Sequence, residues 1–164
     1  MILPGIPRLY TALAESLAVM LYARNYPQRF NMRTTVGASV LLVCLLGAFL
    51  HMTGDVPLVW WVPCMVIAVG MQFLYLWGTR EANWLETAYD CARSFILAEF
   101  SASAEWQLHC VLFPQKPGYA PAALLVLVLV YGAVFGFIFW FDSSRPSPSN
   151  HLEITNSAAL VAVL

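Results

Sequence analysis

The sequence predicts an all-α fold: a polytopic transmembrane helix bundle of five spans plus a truncated sixth. Three observations carry this expectation. The 164 residues are 60% hydrophobic and only 10% charged, against about 45–50% and about 25% in ordinary soluble domains. The apolar residues gather into long runs, most of them near the roughly 20 residues that cross a bilayer. One run, 84–113, is long enough to span yet carries Glu86, Asp90, Arg93, Glu99, Glu105 and His109. Such groups cost about 3 kcal/mol each against lipid on insertion scales. They must face other helices, one another or water, so the remaining runs read as a wall around this helix. The chain, 1–164, then forms a single membrane domain.

The first span covers about 6–22 and carries Glu15. Its residues do not read as a signal peptide, because a basic start is lacking and Glu15 interrupts the apolar run. A polar stretch with Arg24, Arg29 and Arg33 follows, where Pro27 disfavours helix continuation. The second span, 35–53, holds the small residues Gly37, Ala38, Ser39, Gly47 and Ala48, which allow close helix approach. Gly54, Asp55 and Pro57 make a tight turn. The third span, 58–77, has Trp60, Trp61 and Trp77 near its ends, where amphipathic rings prefer the interface.

The fourth span, 84–113, would be about 45 Å long as a helix, more than the roughly 30 Å hydrocarbon core. Pro114, Pro117 and Gly118 end it. The fifth, 120–141, has no charge, and Trp140 lies near its end. A Ser/Pro linker at 142–150 leads to 152–164, an apolar half-span that reads as the start of a sixth helix.

Lys and Arg counts in the short loops orient the bundle. Arg24, Arg29, Arg33, Arg80 and Arg145 fall on one side, and Arg8 and Lys116 on the other. This places the basic loops in the cytoplasm and the N-terminus outside, in a multi-pass protein of the cytoplasmic (inner) membrane whose constant partner is the lipid bilayer. A net charge of −1 gives no reason to expect nucleic acid. Cys44, Cys64, Cys91 and Cys110 all lie in apolar segments without a C-x-x-C pair, so they read as small buried thiols rather than a disulfide or zinc framework. His51, His109 and His151 have no metal-ligand spacing, and no cofactor or catalytic motif is present.

On a wheel of 100° per residue with Asp90 at 0°, Glu86 falls at about −40°, Arg93 at about −60°, Glu105 at about 60° and His109 at about 100°. Asp90 and Arg93 are i, i+3 neighbours suited to pairing. Glu99 falls on the opposite face and needs a different neighbour. Glu15, Glu86, Asp90 and Arg93 are candidates for an intramembrane polar network. Glu99, Glu105, Trp106 and His109 are candidates for a ligand-sensing or proton-sensing pocket, with His109 titrating near neutral pH. The plainer reading is that all of them only hold helices together.

The segments LYTALAESLAVMLYA (9–23) and ARSFILAEFSASAEWQLHCVLF (92–113) resemble the multi-helix N-terminal membrane regions of bacterial, mainly Firmicutes-type, GHKL histidine kinases. AEFSASAEWQ, 98–107, is the most distinctive patch, and LEITNSAALVAVL resembles the start of the next helix in those proteins. The resemblance implies a signal-input domain, a homodimeric parent, and an ATP-binding domain following residue 164. It assigns no role to Glu99, Glu105, Trp106 or Gln107. With the N-terminus outside, a cytoplasmic kinase requires an odd number of spans, hence a seventh. The alternative is a small transporter or channel subunit whose helix 84–113 lines the path, although internal repeats and paired broken helices are lacking.

Overall fold

A computed structural model describes residues 8–54, 57–113 and 121–144. It is helical almost throughout: α1 (Arg8–Ala23), α2 (Met32–Met52), α3 (Leu58–Thr79), α4 (Trp84–Leu112) and α5 (Pro121–Ser144). Each matches one of the five expected spans to within three residues. The sixth, 152–164, lies outside the described residues.

Three of the helices, α2, α3 and α5, are long and apolar enough to cross a membrane. Apolar length therefore supports three spans, not five plus a sixth. The shortfall has two physical causes. Helix α1 has 16 residues, about 24 Å of rise, short of the roughly 30 Å core. Helix α4 has 29 residues but dilutes its apolar content with five Asp, Glu and Arg side chains.

The bundle is apolar outside and polar within. Helix α4 turns Ile96, Phe100, Leu108, Val111 and Leu112 outward, and α3 turns out Val59, Val62, Val66, Ile67 and Leu74. Its buried face instead carries Thr87, Asp90, Ser94, Ser101, Glu105 and His109. A soluble helix has the opposite arrangement, because water rather than lipid covers its outer face. Exposed tryptophans stand at both ends: Trp60 and Trp61 at one, Trp77, Trp84 and Trp140 at the other.

The expectation that α4 alone is enclosed needs correction. Helix α1 touches all four other helices, whereas α4 touches α1, α3 and α5. Alanine makes this possible. Ala14 and Ala18 of α1 meet Ala98 and Ala102 of α4, all fully buried, with Tyr10, Tyr22, Leu97, Leu127 and Tyr131 closing the cluster. Small side chains let the axes approach and bring backbone dispersion contacts into play. A second cluster, with Val19, Leu42, Leu46, Ala68, Tyr75 and Leu76, joins α1, α2 and α3.

The connections fix one end. Gln28 and Arg80 form an isolated antiparallel bridge. The Arg29 N–H donates to Thr79 O at 3.0 Å, and the Glu81 N–H to Pro27 O at 3.2 Å. Arg24 Nη2 donates to Ser143 Oγ at 2.7 Å and covers the Phe139 ring at 3.7 Å. The two loops bearing Arg24, Arg29 and Arg80 thus lie together with the last turn of α5.

Candidate functional site

The functional candidates follow α4 from end to end. Its start is fixed locally: the Asn83 N–H donates to Glu86 Oε2 at 3.0 Å, one arm of a capping box. Glu86 is therefore occupied at the helix terminus. One turn on, Arg93 Nη1 lies 3.9 Å from Asp90 Oδ1, the i, i+3 pair expected from the spacing. Arg93 also lies over the rings of Tyr22, at 4.7 Å, and Tyr89, at 5.4 Å. The buried Asp90 has a second partner that the spacing did not suggest, the hydroxyl of Tyr26 in the α1–α2 loop. Burial, then the Asp90 charge and its hydrogen bond, hold the Tyr26 hydroxyl well above the usual phenol range.

At mid-helix, three elements meet through polar side chains. Glu15 of α1 is fully buried, and its Oε2 accepts from Gln72 Nε2 of α3 at 2.7 Å. Gln72 Oε1 faces Ser94 Oγ of α4 at 3.4 Å. That hydroxyl has a shorter bond to Cys91 O at 2.8 Å, so Ser94 supports Gln72 only weakly. Glu15 Oε1 has no hydrogen-bond partner. Glu99, at the rim of the buried face, lies within electrostatic reach of Glu15 and of Arg8. Arg8 is not within 4 Å of it, and Glu99 Oε1 is buried without a hydrogen-bond partner.

Toward the other end lies Glu105. It is 0% exposed, and neither carboxyl oxygen has a hydrogen-bond partner. His109 Nδ1, buried and also unbonded, lies 3.7 Å from Glu105 Oε1. Trp106 stacks on the imidazole with centroids 5.0 Å apart, and Phe113 covers it at 5.4 Å. Beside them the Tyr131 hydroxyl donates to Tyr10 O at 2.9 Å, tying α5 to α1. The pair Glu105 and His109 is thus an acid and a base held just beyond hydrogen-bond distance beside the Trp106 and Phe113 rings. A proton, or a small donor between them, would satisfy both.

The structure therefore gathers Glu105, Trp106 and His109 and places Glu99 separately, with Arg8. It joins Glu15 to Gln72, a residue the sequence reading passed over. The signal for Gln72 is legible in retrospect: an amide in the interior of a strongly apolar run must find a partner. Among the described residues, no group of three or more His, Cys, Asp or Glu is placed to hold a metal ion, and Cys44, Cys64, Cys91 and Cys110 are free thiols. Comparison with protein-family models, curated proteins and solved structures returns no match.

Proposed function

We propose that this bundle is the membrane-embedded signal-input domain of a sensor histidine kinase, and that Glu105 and His109 form its sensing element. The observation that carries the reading is the fully buried Glu105 carboxyl, without a hydrogen-bond donor, 3.7 Å from an equally unbonded imidazole. Buried polar groups in native structures are almost always paired. An acid–base couple in ion-pair range but without a hydrogen bond is therefore a natural place for two helix arrangements that differ in what occupies the gap. A ligand or proton acts there only by preferring one arrangement. The kinase assignment comes from the resemblance of 9–23 and 92–113 to the membrane regions of GHKL kinases.

In this reading all five helices lie in the bilayer, with the N-terminus outside and the basic loops in the cytoplasm. Helices α1 and α4 need no apolar run of their own, since α2, α3 and α5 shield much of their polar surface. The bundle is multi-pass in the cytoplasmic membrane, and the parent acts as a homodimer. The buried state of Ser94, Ser101 and Glu105 favours sensing over conduction, because a conducting path along α4 would wet these side chains.

The test is autophosphorylation of the full-length protein in liposomes, comparing Glu105→Gln and His109→Gln with the parent across pH and candidate ligands. Loss of the response with folding retained is the expected result. Variants that fold and respond like the parent would remove Glu105 and His109 as the sensing element. A full-length protein without kinase activity would remove the kinase reading.

A further inference from the structure

One charged side chain stands apart from the α4 track. Arg80, at the α3 C-terminus, is 8% exposed, and its Nε is buried without a hydrogen-bond partner. Among the described residues the ion pairs are Asp90 with Arg93 and Glu105 with His109, so no carboxylate lies within 4 Å of Arg80. The other arginines of this end are engaged or solvated: Arg24 on Ser143 and Phe139, Arg93 on Asp90, Tyr22 and Tyr89, and Arg29 and Arg33 exposed. Of the acids at this end, Glu86 is committed to the Asn83 cap and Asp90 to Tyr26 and Arg93, while Asp142 lies within electrostatic reach of Tyr22 and Asp90 but not within 4 Å of Arg80. Glu81, next in sequence, is exposed. The Nε–H of this nearly buried side chain thus lacks an acceptor among the described residues, and a buried polar group of that kind is costly unless a partner such as an anion reaches it.

We propose that Arg80 is the core of an anion-binding site for a phosphate group at the basic end of the bundle, filled by the headgroup of an anionic phospholipid or by free phosphate. Three features fit this chemistry. The backbone that carries the side chain is fixed, since Arg80 pairs with Gln28 and its N–H donates to Leu76 O at 3.0 Å. Arg29 and Arg33, brought close in the chain by that bridge, add positive charge at the rim. The start of α2, three residues beyond Gln28, has no acidic residue in its first turn and no side-chain cap on Asn31, so its N–H groups add to the positive field. An arginine fork matches phosphate oxygens in pairs, and basic pockets between helices on the membrane's basic side are where anionic headgroups dock.

The full chain in nanodiscs tests this. Its unfolding midpoint is measured in dioleoyl-phosphatidylcholine alone, then with increasing dioleoyl-phosphatidylglycerol, then in phosphatidylcholine with millimolar inorganic phosphate. Lipid retention is read by native mass spectrometry. The expected result is stabilisation that saturates with phosphatidylglycerol, with at least tenfold preferred retention over phosphatidylcholine. Arg80→Gln should abolish the preference while Arg33→Gln keeps most of it. In phosphatidylcholine alone Arg80→Gln should be no less stable than the parent, because it removes an unpaired buried charge. Stabilisation by inorganic phosphate through Arg80 would identify free phosphate as the source; stabilisation by phosphatidylglycerol alone would identify the lipid. A parent indifferent to both, or an Arg80→Gln protein that retains phosphatidylglycerol equally, overturns the proposal. The titration of the parent stands even if the variant does not fold.

Discussion

Replacing Gln72 with Leu removes the one hydrogen-bond donor to Glu15, the bond of 2.7 Å between α3 and α1. Both oxygens of a fully buried carboxyl are then unpaired, since Oε1 already lacks a partner. A hydrogen bond to a charged group contributes about 1.5–3 kcal/mol and one between neutral groups about 1 kcal/mol, while an orphaned buried acceptor costs about 1–3 kcal/mol. Bonds between membrane helices measure lower, averaging about 0.6 and reaching about 1.7 kcal/mol, because separated helices find other partners in lipid. The Ser94 contact adds little at 3.4 Å. We expect Gln72→Leu to destabilise the bundle by about 2 kcal/mol, roughly a 30-fold change in the unfolding constant. Converting Glu15 to Leu as well should recover most of that, since removing both partners leaves nothing unpaired. Reversible unfolding in mixed detergent micelles, run as a double-mutant cycle, gives the coupling. A neutral Gln72→Leu, or a double mutant equal to the sum of the singles, would refute the view that Glu15 depends on Gln72.

Three further outcomes are expected. Ala98→Leu places a larger side chain where Ala98 is 0% exposed between α1 and α4, and should cost about 1–3 kcal/mol in the same unfolding assay, while Phe100→Leu on the outer face should be nearly neutral. Tyr26→Phe should cost about 0.5–1.5 kcal/mol through the lost hydrogen bond to Asp90, which keeps Arg93 as its partner. The Tyr26 hydroxyl is raised in the folded state, so its contribution holds below the unfolded phenol value of about 10 and is lost as pH climbs beyond it. Ultraviolet titration should accordingly show one fewer late-ionising tyrosine in the variant than in the parent. Cysteines placed at Asn31 and Met52, both exposed at opposite ends of α2, should label from opposite sides of sealed vesicles, and labelling of both from one side would remove the topology.

The helices were legible because apolar runs, Pro27, Pro57 and Pro114 and the charged loops mark them without reference to any neighbour. The Asp90–Arg93 pair was legible for the same reason, as a spacing within one helix. What escaped was set between helices. Gln72 meets Glu15 only once α1 and α3 are packed, and Tyr26 reaches Asp90 only because the loops bridge at Gln28 and Arg80. Neither depends on a period in the sequence. The central place of α1 escaped as well: its alanines are unremarkable in a linear reading, and only their meeting with Ala98 and Ala102 shows that smallness allows contact with every other helix. Glu99 and Glu105 were grouped by their shared level along the helix, although six residues turn it by about 600°, which leaves the two carboxyls about 120° apart.

The bridge between Gln28 and Arg80 also sets how the bundle can move. It clamps the end of α1 to the start of α4, leaving those helices joined at one end as a pair of levers of unequal length. Helix α4 extends about 43 Å from the clamp and α1 about 24 Å. A tilt of about 5° about that pivot carries the far tip of α4 some 4 Å and that of α1 about 2 Å, by helix length alone. At equal distance from the pivot the two helices travel together, so the larger stroke belongs to the part of α4 that extends beyond the tip of α1. Glu105 and His109 ride near the long tip, where the stroke is large, while Arg80 lies at the pivot, where a bound anion stiffens the joint without travelling.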